Sequence, residues 1–380
     1  MRAVYPLDVP LADLKRRRSI KWTEHPAAVL PLPVAELDVR LAPPVGQALA
    51  RALERSDTGY AGDPTALLAA FSGFAGRRWG WAVDPAGVRT CADVAAGTVE
   101  VLRHLVAPGA SVVIMPPVYP PFWAWLEAVG ARAVEVPLVG AEGGRLDLTG
   151  IEGALRDGCR VVLLCSPHNP TGRVHERAEL AALASLAARY GATVLADEIH
   201  APLAPTGFVP YLTVSGDAAE TGLALHSASK AWNLAGLKCA LVVAAGARPR
   251  EVLAALPVGM TYGTGLFGAL AAEAAYVQGE PWLDALLEAL AANTRLLGRL
   301  LDEQLPAVRW TPPQASYLAW LDCRALGLGD DPAAVMLERS GVALGNGPAF
   351  GPPGRGFVRL NLGCSPEVLT EAVERMARAV

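Results

Sequence analysis

A lysine with two hydroxyls close by is the most informative chemical feature of the sequence. Lys230 ends the run His-Ser-Ala-Ser-Lys, in which Ser227 and Ser229 carry the hydroxyls, directly after the apolar segment Gly222–Leu225; Lys238 follows eight positions later. An amine can attack an aldehyde to form a Schiff base, and hydroxyls beside a second cation are suited to holding a phosphate group. A solvated surface lysine is the commoner explanation of such a run by itself, so the assignment depends on other segments.

Two other apolar segments also end in polar side chains. Arg160–Cys165 leads into Ser-Pro-His-Asn-Pro-Thr-Gly, which contains Asn169, and Thr193–Ala196 leads directly into Asp197. Asp197 follows Asn169 by 28 positions (197 − 169) and precedes Lys230 by 33 (230 − 197), and each interval accommodates one strand and one helix. Because parallel strands end at the same edge of a sheet, we expect these three side chains to share one crevice.

These residue types fit the requirements of a pyridoxal 5′-phosphate (PLP) cofactor. Asp197 would keep the pyridine nitrogen protonated, and Asn169 would donate to the phenolic oxygen. The segment Thr90–Ala96 leads into a helix predicted over Thr98–Val106, whose first N–H groups suit a phosphate, and Tyr119 could stack on the ring. A turn, a helix cap and a core aromatic are ordinary explanations for such residues one at a time. Their order at successive strand ends favours the cofactor.

Composition excludes several other classes of function. The 380 residues carry a net charge of −4, with one basic run at Lys15–Arg18, so nucleic acid is not an expected partner. No apolar run approaches the roughly 18–20 residues of a membrane span, and the N-terminus lacks an apolar signal core, so a cytoplasmic protein is expected. The six cysteines form no C-x-x-C pair, which predicts buried free thiols and no metal site.

The alternation of short apolar segments with helical segments predicts an α/β fold. Buried strands separated by helices imply a mainly parallel sheet covered by helices on both faces. After about Pro281 a long helix, Trp282–Leu305, and the strand-like segments Tyr317–Asp322 and Gly356–Asn361 predict a smaller α+β domain. We expect an N-terminal arm over residues 1–45 that joins the small domain, a large domain over 46–280 and a small C-terminal domain over 281–380.

Four motifs carry a resemblance to a known family. Pro-His-Asn-Pro-Thr-Gly, Asp-Glu-Ile-His, Ser-x-Ser-Lys and Arg-Leu-Asn at Arg359 resemble the class I/II aminotransferases of PLP fold type I, from about Lys21 to the C-terminus. The chain is more narrowly similar to the cystathionine β-lyase branch, of the MalY/PatB type. The features that point there are Lys21-Trp22, the segment 32–38, the segment 117–122 and His200, which replaces a tyrosine common in the family. The resemblance implies a large PLP-binding domain with a seven-stranded sheet.

The resemblance also implies a role for each matched residue. Lys230 resembles the Schiff-base lysine, Asp197 the pyridinium partner, Asn169 the phenolate donor and Tyr119 the residue stacked on the ring, while Arg359 resembles the arginine that grips the substrate carboxylate. Further expected contacts to the cofactor come from Ser227, Ser229, Lys238, the amides of Val94 and Ala95, His200, and Tyr60 across a homodimer interface. Trp22 and Asn169 are expected near the substrate. Asp93 departs from the glycine often found in the family and would repel a phosphate unless it turns away as a helix cap.

The expected reaction is a β-elimination from cystathionine or a related cysteine S-conjugate, giving a thiol, pyruvate and ammonia. Lys230 would remove the α-proton, and Lys230 or Tyr119 would protonate the departing sulfur. Transamination between an amino acid and a 2-oxo acid uses the same residues up to the carbanion and is the alternative. A PLP-fold binding protein without activity is a third reading, which the intact Lys230 and Arg359 argue against.

Overall fold

The computed structural model describes residues 6–140 and 144–380, so the first five residues of the expected arm lie outside the described part. Fifteen α-helices occur in the described residues: α1 (Leu11–Leu14), α2 (Ile20–Thr23), α3 (Pro43–Glu54), α4 (Thr65–Trp79), α5 (Val94–Leu105), α6 (Pro121–Ala128), α7 (Leu148–Arg156), α8 (Arg177–Tyr190), α9 (Gly216–Thr221), α10 (Ala247–Ala255), α11 (Gly259–Tyr262), α12 (Leu266–Gln278), α13 (Glu280–Gln304), α14 (Pro332–Ser340) and α15 (Pro366–Ala377). None of these described helices has the length and apolar character of a membrane span.

Thirteen strands accompany the helices in the same described residues. They are β1 (Leu30–Pro31), β2 (Val88–Cys91), β3 (Ser111–Ile114), β4 (Arg132–Glu135), β5 (Val161–Cys165), β6 (Thr193–Asp197), β7 (Gly222–His226), β8 (Ala240–Ala244), β9 (Arg309–Trp310), β10 (Leu318–Asp322), β11 (Val342–Ala343), β12 (Gly345–Asn346) and β13 (Phe357–Asn361). They form a seven-stranded sheet, a four-stranded sheet and one short pair.

The seven-stranded sheet has the order β2-β8-β7-β6-β5-β3-β4. All neighbours from β7 to β4 pair in parallel, and β8 is antiparallel to both β7 and β2. The predicted mainly parallel sheet is therefore confirmed. In its centre Cys165 pairs with Asp197, and Asp197 with Leu225, so the ends of β5, β6 and β7 lie level.

Helices cover both faces of this sheet because each central strand is buried on both sides. Along β6, Val194 and Ala196 face a core that includes α4, α8 and α12, whereas Leu195 faces the core under α5, α6 and α10. Side chains alternate between faces along a strand, and fully apolar strands such as Val161–Cys165 are typical of a sheet covered on both sides.

The C-terminal residues build a second, antiparallel sheet in the order β12-β13-β10-β9. Strand β1 pairs in parallel with β11 in a separate two-stranded sheet, which attaches the N-terminal segment to the C-terminal residues. Lys21 and Asp38 form a buried ion pair of 2.9 Å in the same region. On these contacts we propose the division into residues 1–45, 46–280 and 281–380.

The start of one helix and the presence of one strand differ from the sequence-based expectation. Helix α5 begins at Val94 and not at Thr98, because the side chain of Asp93 accepts a hydrogen bond from the amide of Ala96 and caps the helix there. Strand β2 was not predicted, since Val88–Cys91 mixes polar and apolar residues at the sheet edge. The expectation of buried free thiols is confirmed for all six cysteines.

Candidate active site

A cavity of about 180 Å³ lies at the carboxyl ends of β5, β6 and β7. Parallel sheets commonly bind ligands at this edge. Ten of the residues predicted for the site line it: Val94, Ala95, Tyr119, Asn169, Asp197, His200, Ser227, Ser229, Lys230 and Lys238. Arg359 does not line the cavity itself but donates a hydrogen bond to Asn169 in its wall. Ala35, Trp125, Cys165 and Ile199 also line the cavity and were not predicted.

Lys230 projects its amine toward a carbonyl of the N-terminal segment. Its Nζ donates a 3.0 Å hydrogen bond to the carbonyl oxygen of Ala35, which also accepts a 2.9 Å bond from the hydroxyl of Tyr317. Burial, with a further contribution from the charge of Arg359, lowers the pKa of Lys230 to about 8. A substantial fraction of this amine is therefore neutral near pH 8 and available as a nucleophile or base.

Asp197 is the last residue of β6 and is buried beside the cavity. One carboxylate oxygen, Oδ1, accepts a 3.1 Å hydrogen bond from the amide of Ile199. Burial raises the pKa of Asp197 to about 6, and the Ile199 amide and the nearby Lys230 only partly oppose this effect. A positive partner placed in the cavity would lower this pKa again, which is the expected relation to a protonated pyridine nitrogen.

Asn169 and Arg359 meet across the two sheets. Arg359 Nη1 donates a 2.9 Å hydrogen bond to Asn169 Oδ1, and Nη2 donates a 2.6 Å bond to the carbonyl oxygen of Pro33. Arg359 Nε is buried and has no hydrogen-bond partner among the described residues. Burial lowers the pKa of Arg359 to about 10, so it remains charged at neutral pH and is available to a carboxylate.

The loop after β5 holds Asn169 in place through a tight turn. Gly172 has a φ of +69°, and a Cβ there would lie 2.3 Å from the Cβ of Pro313. The carbonyl oxygen of Gly172 accepts 2.9 Å hydrogen bonds from the amides of Gln314 and Ala315. The glycine thus lets the Asn169 loop pack against the chain that leads to β10, a close approach that other residues would prevent.

The opposite end of the cavity combines a helix N-terminus with hydroxyls and a lysine. The first residues of α5, Val94 and Ala95, line the cavity together with Ser229 and Lys238. Ser227 also lines it, but its hydroxyl already donates to the carbonyl oxygen of Cys239 at 2.6 Å and accepts from the amide of Ser229 at 3.1 Å. Ser227 therefore shapes the turn, while the amides and Ser229 suit an anion.

Tyr119 and His200 occupy the walls of the cavity. The pKa of Tyr119 is raised by burial and, to a smaller extent, by the charge of Asp197, so its phenol stays protonated. Burial lowers the pKa of His200 to about 3, and its Nδ1 forms a 3.0 Å hydrogen bond with the hydroxyl of Ser316. His200 is thus a neutral wall residue with one ring nitrogen engaged by the small domain.

Two predicted residues do not reach the cavity within one chain. Trp22 donates its Nε1 proton to Asp38 Oδ1 at 3.0 Å and does not line the cavity. Tyr60 is 87% exposed and packs edge-to-face with Tyr262 at a centroid distance of 6.5 Å. The structure therefore gives Trp22 a role in anchoring the N-terminal segment, and it leaves Tyr60 on an open surface.

The N-terminal segment 33–38, hereafter the strap, contributes groups that the sequence did not single out for chemistry. Asn361 Nδ2 donates 2.7 Å bonds to the carbonyl oxygens of Val34 and Glu36, which fixes the strap between the two sheets. Backbone carbonyls leave no signal in residue types, so the contact from Lys230 to Ala35 could not be read from sequence. Asn361, two positions after Arg359, was the residue in the sequence that could have indicated how the strap is anchored.

The residues in the cavity fit the expected cofactor. A buried amine, a carboxylate with one oxygen that accepts no hydrogen bond from the described residues, and the N-terminus of α5 surround one space. These groups match an aldehyde, a pyridinium nitrogen and a phosphate respectively. The phenol of Tyr119 in the wall suits stacking on an aromatic ring.

Comparisons with known proteins agree with this geometry. The family model for aminotransferase class I and II matches residues 30–376. A Mycobacterium leprae protein provisionally named cystathionine beta-lyase is 44% identical, over 99% of this chain and 98% of its own, and the cystathionine beta-lyase of Corynebacterium glutamicum is 36% identical over 97% and 98%. A crystal structure from Corynebacterium diphtheriae, provisionally described as a PLP-dependent beta-cystathionase, superposes with a TM-score of 0.93 at 37% identity over 98% of both chains. The chain belongs to the aminotransferase class I and II family, with the PLP type I fold.

Proposed function

We propose that this protein is a PLP-dependent carbon–sulfur β-lyase that cleaves cystathionine or a related cysteine S-conjugate to a thiol, pyruvate and ammonia. The observation that carries the proposal is the single cavity shared by the Lys230 amine, the Asp197 carboxylate and, through Asn169, the Arg359 guanidinium. The names of full-length relatives at 36–44% identity agree with the lyase activity expected from sequence.

Bound PLP would supply an electron sink for negative charge at the substrate α-carbon. The chain's own residues would do the rest. Arg359 would bind the α-carboxylate, for which its orphaned Nε and its fork of donors are suited. Lys230, whose pKa is about 8, would remove the α-proton with its neutral amine.

Departure of the sulfur requires a proton donor in the cavity. Tyr119 keeps its phenolic proton because burial and the charge of Asp197 raise its pKa. Lys230 would carry the proton that it has just removed. We therefore propose Tyr119 and Lys230 as the two groups that protonate the thiolate. His200 is not proposed as this acid, because burial lowers its pKa to about 3 and leaves the ring neutral.

Transamination remains the alternative because the family as a whole bears that name. The two reactions share Lys230, Asp197 and Arg359 up to loss of the α-proton. They differ in whether sulfur leaves the substrate. A transaminase would need a 2-oxo acid for turnover and would release no thiol.

The deciding experiment supplies cystathionine with PLP and no 2-oxo acid, and follows pyruvate and free thiol together. A lyase releases both in equal amounts through many turnovers. The Lys230→Ala variant should lose at least about a thousandfold in rate, whereas Lys15→Ala, a lysine outside the cavity, should match the unmodified protein. Turnover that depends on a 2-oxo acid, with no thiol, would replace the lyase by a transaminase.

We propose that the active unit is a homodimer in the cytoplasm. The exposed pair Tyr60 and Tyr262 forms an open aromatic surface, of the kind that protein interfaces cover. The six reduced, buried cysteines suit a reducing compartment. Sedimentation of the active species should give twice the mass of the chain, and activity carried by a species of monomer mass would overturn the proposed dimer.

A further inference from the structure

Asp93 lies at the end of the cavity where the phosphate is expected. It is the N-cap of α5, and its Oδ1 accepts a 2.8 Å hydrogen bond from the amide of Ala96. Its other oxygen, Oδ2, pairs with Lys238 Nζ at 2.8 Å. The Asp93 carboxylate thus accepts from a backbone amide and from a lysine amine, which are the two kinds of donor that would bind an anion at this end of the cavity.

The positive charge of Lys238 at this end of the cavity is therefore balanced by the negative charge of Asp93 within the protein itself. Lys238 and Asp93 both line the cavity, and they contribute one positive and one negative charge. Burial by itself would raise the pKa of Asp93, but the hydrogen bonds from Lys238 and the Ala96 amide outweigh burial and hold that pKa below its ordinary value. The carboxylate is consequently ionised at neutral pH.

A phosphate at this position must share or displace these contacts. Val94, Ala95 and Ser229 also line this end of the cavity, but the Asp93 carboxylate already engages the Lys238 amine and the amides of Ala95 and Ala96. Like charges repel at short range, and the pair is partly open to solvent, with the Lys238 and Asp93 side chains 55% and 36% exposed. Solvent screening makes the expected effect moderate.

We propose that Asp93 is a built-in competitor of the cofactor phosphate, which weakens the binding of phosphate-bearing ligands by holding Lys238 and repelling the dianion. The inference rests on the proposed use of PLP. It predicts that Asp93→Asn binds PLP about two- to fivefold more tightly, the size of effect expected for a partly exposed charge. Asparagine is as good an N-cap as aspartate, so the substitution removes the charge and keeps the helix start.

The test measures the Kd of the apoprotein for PLP and for pyridoxal, which lacks the phosphate, by following cofactor absorbance. Asp93→Asn should tighten PLP binding and leave pyridoxal binding unchanged. Asp147→Asn is the matched control, because Asp147 caps α7 through the amide of Gly150 and does not line the cavity. It should leave both Kd values unchanged.

Equal or weaker PLP binding by Asp93→Asn would overturn the inference, and so would an equal gain for pyridoxal. Asp93→Ser gives a second uncharged variant with a capping hydroxyl if the asparagine protein folds poorly. Inorganic phosphate separates this inference from the proposed function. If the unmodified protein failed to bind PLP, the proposed function would be wrong. Even then, competition by Asp93 would be supported if phosphate raised the thermal stability of Asp93→Asn more than that of the unmodified protein. An equal rise in thermal stability would refute the competition.

Discussion

Asp197 and Glu198 are neighbours at the end of β6, yet their side chains lie on opposite faces of the sheet. Asp197 lines the cavity, and within the described part of the chain it accepts one hydrogen bond, from the amide of Ile199. Glu198 is fully buried on the other face, where Oε1 accepts a 2.7 Å bond from the amide of Tyr211 and Oε2 lies 2.9 Å from His226 Nε2. The same strand end thus carries a carboxylate directed at a ligand and one directed at the protein.

The surroundings of the two carboxylates differ in the same way. The ring of His226 lies between aromatic side chains, with centroid distances of 5.1 Å to Phe71, 5.5 Å to Trp79 and 5.6 Å to Trp81. On the cavity face, Asp197 has Lys230 nearby without a direct ion pair among the described residues. The comparison teaches that the backing-face carboxylate is held between an amide and an imidazole of the protein, whereas the cavity-face carboxylate accepts a single amide hydrogen bond among the described residues and keeps its other oxygen for a ligand.

Replacing Arg359 by leucine should give the largest effect on the cavity side. Loss of a desolvated, charged contact to the substrate carboxylate costs about 2–5 kcal/mol, so kcat/KM should fall roughly 30- to 4,000-fold, mainly through KM. Arg324→Leu is a matched control, because each guanidinium lies 5.0 Å from a phenylalanine ring, Phe350 for Arg359 and Phe357 for Arg324, and Arg324 is exposed. A comparable loss with carboxylate-free amines would mean that Arg359 serves structure.

Replacing Asp197 by asparagine should lower kcat by about 100- to 1,000-fold, the size of effect seen when a preorganised electrostatic partner is removed. The Kd for PLP should change much less, because the phosphate contacts lie at the other end of the cavity. Steady-state rates and cofactor titration measure the two effects separately. A near-normal kcat in this variant would show that Asp197 is not needed for catalysis, and the proposed difference in role between Asp197 and Glu198 would be wrong.

Replacing Glu198 by alanine should affect stability and not chemistry. The change leaves His226 and the amide of Tyr211 without their partner in a buried site, which costs about 3 kcal/mol of unfolding free energy. Denaturant unfolding and the kcat of the folded fraction distinguish stability from catalysis. A loss of kcat as large as that of Asp197→Asn, at unchanged stability, would place Glu198 in the cavity chemistry.

The smallest expected effect concerns the pH dependence of apoprotein stability. Burial raises the pKa of Asp197 from its ordinary 3.8 to about 6. Asp197 is protonated in both folded and unfolded chains below pH 3.8, and a penalty for its buried charge develops as the pH rises to about 6. Apo Asp197→Asn should therefore equal the unmodified protein near pH 4 and exceed it by about 1–3 kcal/mol at pH 7.5. Chemical denaturation at the two pH values measures this, and greater stability of the unmodified protein at pH 7.5 would contradict it.

Sequence patterns predicted most of the central sheet because its strands are short, apolar and separated by helices. Helix α13, Glu280–Gln304, differs from the predicted Trp282–Leu305 by two residues at its start and one at its end, and the ends of β5, β6 and β7 differ from prediction by at most one residue. The predicted start of α5 was wrong by four residues, although a capping role for Asp93 was considered, because the helix was predicted only from Thr98 onward. Trp22 was predicted to lie near the substrate, but it does not line the cavity, because its indole N–H donates to Asp38.

Residue types and spacing by themselves determined the fold class, the family resemblance and the group of Lys230, Asp197 and Asn169, because strand ends and polar residues are local properties of the chain. The tertiary structure decided which of two adjacent carboxylates faces the cavity. It also decided that Arg359, 190 positions away from Asn169 in sequence, donates to Asn169, and that the Lys230 amine bonds to the carbonyl of Ala35. These contacts join distant segments through backbone carbonyls and through packing between two sheets. Backbone carbonyls and inter-sheet packing leave no pattern in the order of residues, so sequence could not predict them.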